Sequence, residues 1–448
     1  MAQLTKIWNE LRSSYWFVPT VMSILAALAS FALIAIDRVI GNEWVNAVPW
    51  VYQVQAEGAR GLLTTVAGSM IGVAGVTFSI TIAALSYTTS TLGPRLLTNF
   101  MNDTGNQVTL GTFVSTFVYC LLLLRTIQAG DDTAATFVPH LAMLFAIFMA
   151  VASLAVLIYF IHHITESLHV SNVVGNVARD LDAAIDDYER RSIEAAQQPS
   201  AFLPSDFSDT AVAVRADGDG YIQNLIYRSL VNQAVQHDLV LRIERGPGDF
   251  VATGQTLLKA WPAGRVDDDV TAALVDAYAW GRQRTQSQDV FFLVNELVEI
   301  AARALSPGIN DPYTAMGCLD WLSVALNRLA RRDVAHLHHF DGDGRLRVWA
   351  AGFDFTALAE AIYDQLRSYF ATDRNASVHM LRRMGETGEF LTDGDQRKLM
   401  RTQADALREA ALEAMTSTRD RAAVEQAHRR AIRLIGGPGE RSEHADLA

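Results

Sequence analysis

The residues with the clearest chemical meaning are small and hydroxyl-bearing, and they recur in an uncharged run between Arg60 and Arg95. Their helical spacing would place them on one face of a helix, which lets another backbone approach closely. The pattern has two interpretations: tight packing within one four-helix unit, or a helix that lines a pore at the axis of an oligomer. The candidate pore-lining residues are Thr65, Ser69, Gly72, Gly75 and Ser79.

A second candidate site is the short segment between two predicted helices, at about 290–305 and 312–331. Backbone N–H groups at the start of a helix can bind an anion, so this loop could form a ligand pocket. Capping of the second helix by Asp311, with Pro312 at the first helical position, explains the same residues without a ligand. Both interpretations stay open for Ser306, Gly308, Asn310 and Asp311.

Histidines cluster before a predicted hairpin turn at 341–344, and His336 and His338 would lie on the same face of a strand. No third ligand stands nearby in the sequence, so an exposed polar hairpin is favoured over a metal site. The sequence contains no Walker loop, Gly-x-Ser-x-Gly elbow, His-Glu-x-x-His helix or kinase signature. We therefore predict no catalytic residues, no metal and no cofactor, and expect a protein that is not an enzyme.

The composition divides the chain into an apolar part and an ordinary soluble part. Of the 448 residues only 19% are charged, against about 25% in a typical soluble domain, and the shortfall lies within 13–170. The net charge of −12 excludes a general nucleic-acid binder, which needs a basic surface to contact phosphates. The two cysteines, Cys120 and Cys318, offer no disulfide framework or thiolate metal site.

Four apolar stretches have the length of about 20 residues that a helix needs to cross a bilayer. These predicted spans are about 17–36, 62–86, 108–124 and 137–161. No Asp, Glu, Lys or Arg falls within them, which disfavours a proton-coupled transporter. Lys6 and Arg12 precede the first span and favour a cytosolic N-terminus, and an even number of spans returns the C-terminus to that side. We expect a bacterial inner (cytoplasmic) membrane protein with both termini in the cytosol.

The predicted fold class is a membrane protein, mainly α, with a transmembrane domain at 1–164 and a soluble α+β region after it. Residues 165–197 form an amphipathic helix with a single apolar seam. That seam packs either on its own domain or on copies of itself as a short stalk. Both arrangements connect the membrane part mechanically to the soluble region.

The soluble region itself divides into two parts. A small β-rich module at 207–263 resembles barrel-sandwich domains around 246–254, but no modifiable lysine stands at a hairpin tip, so a structural role is favoured. A mainly helical cytosolic domain, a helical bundle, is predicted at 270–436 with a β-hairpin near 336–350. The final residues, 437–448, are predicted to be a disordered tail.

Four motifs in a fixed order carry a resemblance over nearly the whole chain. They are the run Gly75–Thr81 (Gly-Val-Thr-Phe-Ser-Ile-Thr), then Gly93-Pro94-Arg95, then Gly105-Asn106-Gln107, then Ala304–Thr314. In these motifs the chain resembles the bacterial family of predicted membrane proteins known as domain of unknown function 2254. The resemblance implies the membrane topology and transfers no catalytic or binding residues.

Together these patterns predict an oligomeric inner-membrane channel-like protein whose cytosolic domain assembles or gates it. The expected partners are the lipid bilayer and further copies of the chain, with a small ion or ligand of unspecified identity and no nucleic acid. The alternative is a non-conducting membrane sensor or scaffold whose soluble domain binds a ligand or partner.

Overall fold

The computed structural model of the protein describes residues 14–41, 55–93, 103–128, 137–196, 202–331 and 336–436. Lys6, Arg12, the predicted tail at 437–448 and the side chains of 191–196 and 336 lie outside the described set. The described residues form two compact units. The membrane unit comprises those up to Ser90 together with 103–169, and the soluble unit comprises Thr91–Gly93 and those from Val170 onward.

Four helices among the described residues are long and apolar enough to cross a membrane, as the sequence predicts. They are α1 (Phe17–Ile40), α2 (Ala56–Leu92), α3 (Thr104–Leu124) and α4 (His140–Ser167). Each extends beyond its predicted span at one or both ends. The longest is α2, whose 37 residues rise about 56 Å, against about 30 Å of hydrocarbon in a bilayer. Polar residues that flank the apolar runs are therefore part of the helices.

Polar contacts fix which helix ends lie together. Tyr15, just before α1, lies within electrostatic range of Asp103, which precedes α3. Asp103 in turn bonds His163 near the end of α4. Asp37, near the other end of α1, contacts the start of α4. The chain therefore enters and leaves the membrane unit at one end, which we call the Asp103 end, and the opposite end is called the Asp37 end.

Small residues set the distances between helices in the membrane unit. A methyl group on Gly111 of α3 would lie 2.5 Å from Sδ of Met22 and 3.2 Å from Cα of Pro19, so α1 and α3 are in close contact there. One face of α2 is buried at heptad-like spacing, through Ala59, Leu63, Ala67, Ala74, Thr77, Thr81, Ala84 and Thr88. The opposite face of α2 does not take part in this packing.

The first helix of the soluble unit is α5 (Val170–Ala196). Two residues, Leu168 and His169, separate it from α4. The next elements are α6 (Phe207–Thr210), β1 (Val212–Arg215), β2 (Gly220–Leu225), α7 (Tyr227–Gln236), β3 (Val240–Ile243), β4 (Phe250–Val251), β5 (Thr256–Trp261), α8 (Asp268–Val275) and β6 (Tyr278–Gly281). The last are α9 (Val290–Ala304), α10 (Pro312–Leu329), β7 (His336–Phe340), β8 (Leu346–Ala351), α11 (Phe355–Phe370), α12 (Arg374–Gly388), α13 (Gly394–Ala414) and α14 (Thr418–Ile435).

The strands form two small sheets, with the orders β1-β5-β3-β8-β7 and β4-β2-β6. β3 pairs in parallel with β8, so the hairpin near 336–350 completes a sheet that the region 207–263 begins. The described strands form no closed barrel, and the β-rich region shares its larger sheet with the later domain. The resemblance of 246–254 to a barrel-sandwich hairpin was a local one and does not extend to the whole sheet.

The apolar seam of α5 packs on the soluble unit of its own chain. Val177, Leu181 and Ile185 are buried, and α9 and α10 lie against the helix. The backbone N–H of Phe353 donates to the hydroxyl of Tyr188 at 2.9 Å, and the two rings pack with centroids 4.2 Å apart. Of the two arrangements that the sequence left open, packing on the same chain is the one observed.

Arg328 of α10 is the main polar link between α10 and α5. Its guanidinium donates to the carboxylates of Asp182, Asp186 and Glu189, and Glu189 is buried. Burial alone would lower the pKa of Arg328, but the bonds to Asp186, Asp182 and Glu189 outweigh it and raise the pKa. The arginine therefore stays charged at every physiological pH and holds three successive turns of α5.

We predict that Arg328→Met destabilises the full-length protein by about 2 kcal/mol, because it removes charged hydrogen bonds to three carboxylates of α5, one of them on the buried Glu189. The measurement is thermal unfolding of the purified protein in detergent. Arg190→Met is the matched control, since Arg190 lies on α5 and pairs only at the surface, with Asp187. Equal shifts of the midpoint for the two variants would contradict the role given to Arg328.

Candidate functional site

The face of α2 that carries the predicted pore-lining residues is exposed in the single chain. Thr65, Ser69, Gly72, Gly75 and Ser79 are all exposed, and they lie opposite the buried face of the helix. Apolar side chains flank this surface on both sides, namely Ile71, Val76, Phe78, Ile80 and Ile82. The structure therefore brings the five candidates together on one surface, which no described residue of the same chain covers.

The glycines of this face are not required for packing within the chain. A methyl group on Gly68, Gly72 or Gly75 would meet no atom within 4 Å. Glycine inside a helix costs about 1 kcal/mol relative to alanine, so three uncompensated glycines on one face weaken the helix. Tight packing within one four-helix unit does not account for them among the described residues.

The hydroxyl groups of this face are bonded to their own helix. Thr65, Ser69 and Ser79 each donate to the carbonyl oxygen four residues earlier, at 2.8, 2.8 and 2.9 Å. Such bonds satisfy the hydroxyl hydrogen in an apolar environment while the oxygen keeps lone pairs for a further donor or a cation. The surface can therefore face either lipid or a permeating ion without leaving a donor unsatisfied.

The loop between α9 and α10 is a compact capping structure. Asp311 accepts from the backbone N–H and the hydroxyl of Thr314, and Ser306 donates its hydroxyl to the carbonyl of Arg303. The N–H groups of Ile309 and Asn310 donate to the carbonyl of Ser306, and that of Asp311 donates to Ala304. These three N–H groups are bonded within the loop, and the side chains of Ser306 and Asp311 serve the capping interpretation.

The same loop also has residues whose types the packing of the described residues does not explain. Gly308 has an ordinary backbone conformation, and a methyl group there would meet no atom within 4 Å. Asn310 adopts a positive φ of 50°, and Tyr313 is 79% exposed. Gly308, Ile309 and Tyr313 thus form an exposed edge whose composition the packing of the described residues does not explain.

The predicted histidine hairpin is present as β7 and β8. His338 pairs with Trp349 across the hairpin, and the ring of His339 stacks on Tyr227 with centroids 4.5 Å apart. Among the described residues, no group of three or more His, Cys, Asp or Glu side chains is arranged to hold a metal ion. The side chain of His336 lies outside the described set.

Two groups of the soluble unit have chemistry shaped by burial. Burial raises the pKa of the Cys318 thiol, so this cysteine is protonated and a weak nucleophile. Burial also raises the pKa of Asp289, against the opposing effect of Arg284, whose Nη2 lies 2.6 Å from the carboxylate. Asp289 caps α9 by accepting from the N–H of Phe292. Both groups have structural explanations.

The membrane unit contains a buried carboxylate that the sequence analysis missed. Asp37 is only 2% exposed, and its two oxygens accept from the N–H groups of Leu141 and Ala142, both at 3.0 Å. Pro139 precedes α4 and offers no side-chain cap, so Asp37 of α1 caps this helix instead. The predicted span at 17–36 contains no acidic or basic residue, but α1 continues past it and includes Asp37 and Arg38.

Further polar groups lie at the Asp37 end. The guanidinium of Arg38 lies 5.7 Å from the ring centroid of Phe137, and Nη2 of Arg60 donates to the carbonyl of Ile127 at 2.8 Å. His140, at the start of α4, is buried. Tyr119 of α3 donates its hydroxyl to the carbonyl of Ala142 at 2.9 Å. This end of the unit is therefore held by polar contacts that join all four helices or the segments next to them.

A second polar cluster lies at the Asp103 end. Asp103 caps α3 by accepting from the N–H of Gly105 at 2.9 Å, and it also accepts from Nδ2 of Asn106 at 3.0 Å. Nε2 of His163 lies 2.7 Å from the same carboxylate, and the His163 ring stacks on Tyr159. A methyl group on Gly105 would lie 2.7 Å from Nε2 of His163, so glycine is needed for this contact.

We predict that Asp37→Ala lowers the stability of the full-length protein by about 2 kcal/mol, because two N–H groups of α4 lose their acceptor. Asp37→Asn should have a smaller effect, since it keeps one acceptor oxygen. The measurement is the midpoint of thermal unfolding in detergent. Thr20→Val, which removes an exposed hydroxyl on the same helix, is the control. A shift for Asp37→Ala no larger than that of the control would contradict the capping role.

Comparison with known proteins places the chain in a family. A family model described as "Predicted membrane protein (DUF2254)" matches residues 12–386. Uncharacterized protein Rv1290c of Mycobacterium tuberculosis (strain H37Rv) and uncharacterized protein Mb1321c of Mycobacterium bovis are each 29% identical to it over 437 residues, which is 97% of this chain and 83% of theirs. No solved structure matches. The chain belongs to the DUF2254 family of predicted membrane proteins.

Proposed function

We propose that this protein is an oligomeric channel-like protein of the bacterial inner membrane, in which α2 of each subunit borders an ion path between subunits. The observation that carries the proposal is the exposed face of α2, where a methyl group on Gly72 or Gly75 would meet no atom of the other described elements within 4 Å. Small residues allow helices from neighbouring subunits to approach an axis closely. The hydroxyl oxygens of Thr65, Ser69 and Ser79 would then line the path.

The chemistry of this face favours small cations. Between Arg60 and Gly93, α2 carries no charged side chain, so a cation meets only neutral oxygen atoms and apolar constrictions. The net charge of −12 on the chain raises the local concentration of cations rather than anions. Exposed Val76 and Ile80 next to the glycines supply an apolar constriction that can close by losing its water.

The soluble unit is proposed to assemble the oligomer or gate it, with both termini in the cytosol. Thr91–Gly93, at the end of α2, belong to the soluble unit, and a methyl group on Gly93 would lie 2.8 Å from Oε1 of Glu299. The last helix of the membrane unit, α4, leads into α5 after only two residues. The end of α2 therefore belongs to the part of the chain proposed to regulate the path, and α4 leads directly into that part.

Cysteine modification can test this path. The native Cys120 and Cys318 are both fully buried, so a water-soluble thiol reagent should react with an introduced cysteine and not with them. We predict that Ser69→Cys and Ser79→Cys channels in planar bilayers lose conductance when a charged, water-soluble thiol reagent is added. Ala74→Cys is the matched control, since Ala74 lies on the buried face of the same helix. Its conductance should not respond to the reagent.

Two results would count against the channel. Wild-type protein whose conductance equals that of empty membranes, across several salts and under tension, would remove the proposal. A channel that the reagent blocks equally in all three cysteine variants would retain conduction but exclude α2 as its lining. Cross-linking or mass measurement of the protein in the same lipid determines whether the subunits are assembled in either case.

A second candidate function, a non-conducting sensor or scaffold, is favoured by the exposed edge of the loop before α10. Gly308, Ile309 and Tyr313 are exposed, and packing among the described residues does not explain their types, which is expected of residues that contact another molecule. For the sensor we predict that Tyr313→Ala abolishes complementation of a deletion strain while leaving membrane permeability unchanged. Loss of conductance in Tyr313→Ala would favour the channel instead.

A further inference from the structure

The exposed face of α14, the last described helix, is basic in an otherwise acidic protein. The buried side of this helix consists of Val424, Ala431 and Ile435. The opposite side carries four exposed arginines and a glutamine at helical spacing, with no Asp or Glu among them. These residues, which we call the basic face, are Arg419, Gln426, Arg429, Arg430 and Arg433.

Ion pairs within the chain do not neutralise the basic face. Among the described residues, Arg419, Arg430 and Arg433 form no ion pair. Arg429 lies 3.9 Å from the carboxylate of Glu425, to which Arg408 of α13 is bound more closely, at 2.5 Å. The neighbouring helix α13 differs, since it carries four basic and four acidic residues. The basic face therefore keeps a positive charge that an acidic surface would neutralise.

The opposite charge prevails in the β-rich region. Between residues 206 and 281 there are eleven Asp or Glu residues against six Lys or Arg. Asp267, Asp268 and Asp269 are exposed in succession at the start of α8. Asp267 caps that helix by accepting from the N–H of Val270 at 2.8 Å. The carboxylates of Asp268 and Asp269 have no partner among the described residues.

The packing of the soluble unit separates these two charged surfaces. The helix α14 packs on α12 and α13, which pack on α10 and α11, and these lead through α9 and α5 to the edge strand β7. The larger sheet then runs β7-β8-β3-β5-β1, and α8 packs on β1 at its other edge. The basic face and the acidic start of α8 therefore lie at opposite ends of one succession of packed elements.

We propose that the basic face of one soluble unit binds the acidic β-rich end of a second copy of this chain, head to tail. The contact rests on the oligomer proposed above and specifies how its soluble units associate. A two-fold dimer through the basic face would place like charges together, which disfavours it. Contact between two different surfaces instead generates a ring when the rotation closes, and a ring surrounds an axis. Guanidinium and carboxylate groups match in both charge and geometry.

Cross-linking of the full-length protein in liposomes tests whether these two surfaces meet. Gln426→Cys lies within the basic face and Ala272→Cys is exposed on α8, while both native cysteines are buried. With a short thiol-specific cross-linker, the double variant should form a ladder of covalent oligomers, because each subunit offers one cysteine to each neighbour. Each single variant alone should stay unlinked, since a head-to-tail contact does not bring two identical surfaces together.

Ser368→Cys is the matched control, because it is exposed on α11, in the middle of the succession of packed elements. Combined with Ala272→Cys, it should give no ladder. Wild-type protein that is monomeric in liposomes would overturn both this contact and the proposed oligomer. Assembled wild-type protein whose double variant forms no ladder would overturn the contact alone.

Charge reversal tests the chemistry of the contact. Arg429→Glu together with Arg430→Glu should weaken association at least about tenfold, because it places carboxylates against an acidic surface. Adding Asp268→Arg and Asp269→Arg to the same chain should restore association, which separates loss of the contact from loss of folding. The measurement is fluorescence energy transfer between subunits as the protein is diluted with lipid. Association of the arginine variant at the wild-type level, or a loss that the second pair does not restore, would overturn the proposal.

Discussion

The hydrocarbon core of a bilayer cannot accept hydrogen bonds, so free N–H groups at the start of a helix near that core need acceptors within the protein. In the membrane unit, two carboxylates meet this requirement at opposite ends. Asp103 caps its own helix, α3, and also bonds His163 of α4. Asp37 of α1 caps α4 at the other end. Each of these carboxylates joins α4 to another helix, Asp103 to α3 and Asp37 to α1. The hydrogen bonds that satisfy the helix starts therefore also fix the position of α4 at its two ends.

The local properties of the helices could be predicted from sequence, whereas the contacts between them could not. The four spans follow from apolar length, and the capping of α10 follows from Asp311 and Pro312, which are adjacent in the chain. Asp37 stands immediately after an apolar run, and its partners are more than one hundred residues away. The pairing of Asp103 with His163 spans 60 positions, so no spacing rule indicates it.

The small-residue pattern on α2 shows a different limit of sequence analysis. Spacing predicted one face but could not tell whether that face turns toward the other helices of the chain or away from them. The structure shows that the alanine and threonine seam turns inward, while Gly68, Gly72 and Gly75 turn outward. The sequence of α2 carries two sets of small residues, alanines at heptad-like spacing and glycines offset from them. Only the packing of the helix shows which set faces the other helices and which faces outward.

Covalent continuity gives the membrane unit a direct route to the soluble unit. His163 lies four residues before the end of α4, and only two residues separate that end from the start of α5. The contact between Asp103 and His163 therefore lies about one turn before the junction through which α4 leads into α5. Within the soluble unit, charged hydrogen bonds from Arg328 join α5 to α10, the helix whose start Asp311 caps.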